Sequence, residues 1–198
     1  MPSLVHHTGT RERLVTSMAK ALQRRGLHGV GLNEILAQAQ TPKGVLYHHF
    51  PSGKAELAVA AIQAISAQVI NGLAHVMSSK ADPVQALRTW LVGARKLLEL
   101  SAFESGCPLA TVALESTAED TTIRSALADA FAAIRKQLAA TLTRAGVPAA
   151  HAKPLSTLIV AAYEGALLQA RVAGSSKPMI DTADVLLGLV QTELDAAA

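Results

Sequence analysis

The chain has 198 residues and a mass of 20.6 kDa, enough for one large domain or two small ones with a sizeable core. Half of the residues are apolar, 17% are charged and mean hydropathy is +0.29, which excludes wholesale disorder. The net charge of +3 is polarised: residues 1–54 hold seven Lys/Arg against two acids, and the remainder holds eleven against thirteen.

Aromatic residues make up only 3%, alanine is abundant and β-branched runs are scarce, so helix is favoured over sheet throughout. The first periodic segment runs from about Thr10 to Arg25, with Leu14, Met18, Ala21 and Leu22 on one stripe. Gly26 stops it. A short second helix follows Gly29-Val30-Gly31 and turns Leu32, Ile35, Leu36 and Ala39 inward. Gln40 and Thr41 form a turn, Thr41 is placed to cap the next helix, and Pro42 suits its first position. This third helix, Pro42 to about Phe50, is barely two turns long. Pro51-Ser52-Gly53 ends it, with Ser52 or Gly53 capping a long fourth helix from Lys54 to about Met77.

Asp82-Pro83 opens a fifth helix to about Leu100, and Cys107-Pro108 a shorter sixth to about Ser116. A seventh runs from Thr121 or Thr122 to Gly146, an eighth from Pro148 to Ala173, and a last one from Asp181 to about Asp195. The expected fold is all-α, with about nine helices and no strand.

Two short helices joined by a three-residue turn and packed on a longer first helix make a helix-turn-helix unit. Leu46 and Phe50, four apart, face Leu32, Ile35 and Leu36, while Lys43, Gly44, Tyr47 and His48 fall on other sides. A plain helical hairpin has the same spacing. The basic balance and the proline-started third helix favour a polyanion-binding unit, and five of the seven histidines (His6, His7, His28, His48, His49) add positive charge there in mild acid.

The stretch Thr10 to Ala61 carries Thr-Pro-Lys-Gly-Val-Leu-Tyr-His-His-Phe at 41–50, then Gly53-Lys54-Ala-Glu-Leu57. It resembles the DNA-binding domain of TetR-type transcriptional repressors. Further on, Gly106-Cys107-Pro108-Leu-Ala-Thr-Val-Ala-Leu-Glu115 is similar to the regulatory domain of the LmrA/YxaF-like branch. The resemblance implies that residues 1–53 form the DNA-binding domain and 54–198 an effector-binding and dimerisation domain. It further implies that Lys43, Gly44, Val45 and Tyr47 approach the major groove, with Thr41 in the same DNA-facing set, and that His48, His49 and Lys54 anchor phosphates. Two positions depart from the common pattern. Gly31 replaces a threonine that caps helix two and bonds a phosphate, and Gln40 replaces the turn glycine, which implies strain if φ is positive there.

The chemistry agrees with that assignment. Gly44 allows close backbone approach, Lys43 can donate to guanine O6 or N7, and the Val45 methyls suit a thymine methyl. Tyr47 reads equally well as a packing aromatic. His48 and His49 point about 100° apart on a helix, so they make a poor metal pair, and no metal or cofactor is expected. His6 and His7 read as part of a tail.

For the larger half, the resemblance places an effector pocket between the fourth and eighth helices. Trp90, Phe103, Phe131 and Tyr163 are the large side chains able to line it with Cys107, although an ordinary core role suits each of them. Glu164 stands alone in an apolar run and needs a partner: Arg95, a ligand donor or another subunit. Cys107, followed by Pro108 and an apolar run, reads as a buried thiol more than an oxidant sensor. Leu155, Leu158, Ile159, Ala162, Ala166, Leu167 and Ala170, with Val185, Leu186, Leu189 and Val190, give the last two helices apolar faces for a four-helix homodimer interface.

No run of about 18 uninterrupted apolar residues exists, since Gln63, Gln68 and Glu164 break the candidates, so no membrane span is expected. Met1 to Thr10 lacks the apolar block of a secretory signal. One cysteine permits no internal disulfide and fits a reducing cytoplasm. Enzyme signatures are missing: no Gly-x-Ser-x-Gly elbow, phosphate loop or His-Glu-x-x-His occurs. The expected protein is a cytoplasmic, dimeric repressor released from a palindromic operator on double-stranded DNA by a small apolar effector. A helical protein–protein adaptor is the alternative.

Overall fold

The computed structural model describes residues 9–79 and 82–196, which contain nine α-helices and no strand. They are α1 (Thr10–Arg25), α2 (Leu32–Gln38), α3 (Lys43–His49), α4 (Lys54–Ser79), α5 (Pro83–Leu100), α6 (Pro108–Glu115), α7 (Thr121–Arg144), α8 (Ala149–Ala173) and α9 (Lys177–Asp195). The all-α expectation holds, while His6 and His7 lie outside the described residues.

In the N-terminal unit α1 buries Leu14, Met18, Ala21 and Leu22, the stripe set by their helical spacing. It ends at Gly26, whose φ of 68° suits glycine. The turn between α2 and α3 has Gln40 at φ 49°, so the replacement of the usual glycine stores strain of about 1 kcal/mol. Thr41 does not cap α3. Its side chain is buried and its hydroxyl donates to the Ala39 carbonyl at 3.0 Å, while Pro42 occupies the cap position and Lys43 begins the helix. Leu46 and Phe50 are fully buried, and each contributes about 2 kcal/mol to holding α3 down.

Helix α4 is the spine. It packs on α1 at one end and on α5 and α7 along its length. By length and composition alone it is apolar enough to cross a bilayer. The fold spends that apolarity internally, because Leu57, Ala58, Ala61, Ile62, Ile65 and Leu73 are core residues. Near its start the Ser52 N–H donates to Glu56 at 2.9 Å. Helix α5 begins as expected, with the Asp82 carboxylate accepting from the Val84 N–H at 2.8 Å.

Helix α9 starts at Lys177, four residues earlier than the sequence suggested, because Pro178 sits in its first turn, where a missing N–H costs nothing. The packing of α8 on α9 divides their apolar residues. Leu155, Ile159, Ala166, Leu167, Ala170, Leu186 and Val190 are buried within the subunit and cannot serve an outer interface. Leu158, Val185 and Leu189 stay exposed, joined by Leu168 and Val172, which the sequence reading passed over.

Candidate nucleic-acid interface and internal cavity

Helix α3 presents Lys43, Gly44, Tyr47 and His48 to solvent, with Val45 and His49 half-buried. A Cβ added at Gly44 would meet nothing within 4 Å, so nothing within the subunit requires its small size. Tyr47 is both packed and accessible. It is 44% exposed, yet its ring lies against Gly53, where an added Cβ would come within 3.3 Å of Cε1. Lys54 is half-buried, which pushes its pKa down against a smaller raising effect from Glu115. Thr41, by contrast, is turned inward. Gly31 caps α2 with extended backbone and no side-chain bond, as its lack of a hydroxyl demands.

The unit is braced by groups that spacing did not reveal. Arg13 Nε donates to the Ala39 carbonyl at 3.1 Å, tying α1 to the turn before α3. The Arg11 guanidinium sits 5.2 Å from the centre of the Phe50 ring. Arg25 pairs with Glu34. From the larger half, the Glu115 carboxylate accepts from the Leu27 N–H at 2.5 Å and the His28 N–H at 3.2 Å. Glu115 ends α6, so one helix joins the connection between α1 and α2 to the interior of the larger half.

That interior holds a cavity of about 400 Å³. Its walls come from α1, α4, α5, α7, α8, the loop before α6 and the first turn of α6, a wider set than the two helices expected. Of the six candidates, Trp90, Cys107, Tyr163 and Glu164 line it. Phe103 lies instead in a surface cleft with Glu104 and Arg171, and Phe131 lines a neighbouring apolar cleft that also touches Cys107 and Glu164. Trp90 and Tyr163 pack with centroids 5.1 Å apart. Val15, Ala19, Gln68 and Leu138 are among the other lining residues and were missed, since nothing in their spacing distinguishes them from core residues.

Glu164 has a buried Oε2 without a hydrogen-bond partner. Arg95 is not its partner, being 3.5 Å from Glu99. The carboxyl does bond the Cys107 thiol; burial raises its pKa, and the thiol bond lowers it by less. Burial first, then the Glu164 charge, pushes the thiol well above its usual range, which suppresses the thiolate that oxidant sensing requires. Burial likewise raises Tyr163. Among the described residues no group of three His, Cys, Asp or Glu is placed to hold a metal ion.

Residues 16–61 match the model of bacterial regulatory proteins of the tetR family, and residues 83–185 match the C-terminal domain of LmrA/YxaF-like transcriptional regulators. The chain belongs to the TetR family of transcriptional regulators. Its helix-turn-helix therefore binds DNA, which sets the adaptor reading aside, and its relatives are regulators rather than enzymes. The HTH-type transcriptional regulator LmrA of Bacillus subtilis is 26% identical over 182 residues, 92% of this chain and 97% of that protein. The uncharacterised HTH-type regulator Rv0196 of Mycobacterium tuberculosis is 30% identical over 176 residues, 86% of this chain and 89% of that one. A TetR regulatory protein from Rhodobacter sphaeroides has the same fold: TM-score 0.77, 24% identity, 90% of this chain and 97% of that one. In this TetR-family chain the recognition element and the cavity share a wall, because α1 contributes to both.

Proposed function

We propose that this regulator is a repressor that binds a palindromic operator as a homodimer and leaves it when a small, mostly apolar effector fills the cavity. The supporting observation is the shared wall. Val15 and Ala19 of α1 face the cavity, while the same helix carries α2 and α3. Filling the cavity bears on the helix that aims α3 at DNA, and α6, held to the α1–α2 connection by Glu115, offers a second route. The mechanism is linkage: an effector that binds best to one setting of the N-terminal unit lowers the population of the DNA-competent setting.

In this reading residues 1–53 are the DNA-binding domain and 54–198 the effector and dimerisation domain, working in the cytoplasm where the DNA is. The exposed apolar residues of α8 and α9 pair with their copies, and two recognition helices about 34 to 36 Å apart then read successive major grooves. Lys43, Gly44, Val45 and Tyr47 face bases; His48, His49 and Lys54 face phosphates. Gel shift with DNA flanking the protein's own gene tests the assignment. Lys43→Ala weakens binding and flattens sequence preference, whereas Lys54→Ala weakens binding to all sequences and reduces the salt slope by about one. Equal loss of specificity in both variants refutes these roles.

A further inference from the structure

We propose that the effector carries one protonated amine on an otherwise apolar body, with the ammonium seated on the Glu164 carboxylate beside the Trp90–Tyr163 pair. The proposal rests on the reading of the cavity as the effector site. Its first ground is the orphaned Glu164 Oε2: a buried acceptor without a partner loses the hydration it had in the unfolded chain, and a donor brought by a ligand restores that loss. Its second is charge. The other titratable groups in the lining are Cys107, Tyr163 and Lys20, and Lys20 stands at the exposed rim of α1. Helices α4, α5 and α7 contribute no ionisable side chain to the wall. Arg171 lines the neighbouring cleft that Glu164 also borders but makes no ion pair with it, so within this cavity the cation for Glu164 is one a ligand brings.

The surroundings suit an ammonium better than a neutral donor. The aromatic faces of Trp90 and Tyr163 attract a cation in a desolvated site. The Cys107 thiol bonds the same carboxyl and stabilises its ionised form. Burial raises the Glu164 pKa, and pairing with an ammonium lowers it again, so whatever proton the carboxyl holds passes to solvent as the ion pair forms. A hydroxyl ligand expels none. About 400 Å³ accommodates a drug-sized apolar body around that single polar contact.

The test uses the full chain, isothermal titration calorimetry and a matched pair of probes, 4,4-diphenylbutylamine and 4,4-diphenylbutan-1-ol, in phosphate and in Tris at pH 7. The amine is expected to bind at least tenfold more tightly than the alcohol, a difference of about 1.4 kcal/mol, with a buffer-dependent enthalpy that reports proton release. Both signs are expected to vanish in Glu164→Gln and in Glu164→Met, two substitutions of matched volume whose folding is checked by circular dichroism. Equal binding of the two probes, or an amine preference that survives in the variants, overturns the proposal. If the alcohol binds equally and still releases the protein from DNA, the amine is refuted while the effector site stands. If neither probe binds or releases DNA, the effector reading falls with it.

Discussion

Removing the Glu115 carboxylate should loosen the connection between α1 and α2 without touching α3. In the folded chain its Oε2 accepts from two backbone N–H groups, those of Leu27 and His28. Leu27 is buried, so in Glu115→Ala its N–H loses a charged acceptor and gains no full hydration, a cost of about 1.5–3 kcal/mol. The N–H of exposed His28 finds water instead and adds little. The expected loss is about 2 kcal/mol, which for a chain of this length lowers Tm by about 4–8 °C. Glu115→Gln keeps an acceptor oxygen and should lose less than half as much. Urea unfolding measures the free energy, and amide exchange at residues 27 and 28 localises it. A Glu115→Ala stability within about 0.5 kcal/mol of the parent, with unchanged exchange at both amides, refutes the contact as a structural tie.

Gly44→Ala separates binding from folding: with nothing near its Cβ and helical backbone, it should raise stability by up to about 1 kcal/mol yet abolish operator retardation in a gel shift. Glu164 also predicts a pH dependence. The folded state holds its proton more tightly than the unfolded chain, so its contribution is intact below about 4.5 and is lost as pH rises through the raised folded value. Glu164→Gln, always neutral, should therefore gain on the parent above that pH in thermal melts, and a gap of equal size at pH 4 and 8 contradicts the account. Light scattering of the parent at micromolar concentration should give twice 20.6 kDa, and Leu168→Asp with Val172→Asp on the exposed face of α8 should give 20.6 kDa; a parent at 20.6 kDa removes the dimer.

Local chemistry was legible in the residue order. The stripe Leu14-Met18-Ala21-Leu22, the stop at Gly26 and the Asp82-Pro83 start act over one or two helical turns, and each appears where spacing placed it. The exposed face of α3 was equally readable, since burying Leu46 and Phe50 leaves Lys43, Gly44 and Tyr47 one orientation. Thr41 misled because a hydroxyl before a helix can bond forwards as a cap or backwards to a carbonyl. The packing of the turn against α1 selected the backward bond to Ala39.

The cavity lay beyond such reasoning. Trp90, Tyr163 and Glu164 could be suspected as large or misplaced groups, but Phe103 and Phe131 looked the same and line other clefts. Likewise, every apolar residue of α8 and α9 satisfied helical spacing, and only the contact between the two helices separated those that close the subunit from those left outside. Helix starts, stops, faces and the basic recognition element follow from the order of residues, because they depend on neighbours within a turn or two. Which walls meet, which oxygen is orphaned and which helix end grips a distant backbone N–H depend on segments as far apart as Leu27 and Glu115, and only their packing decides them.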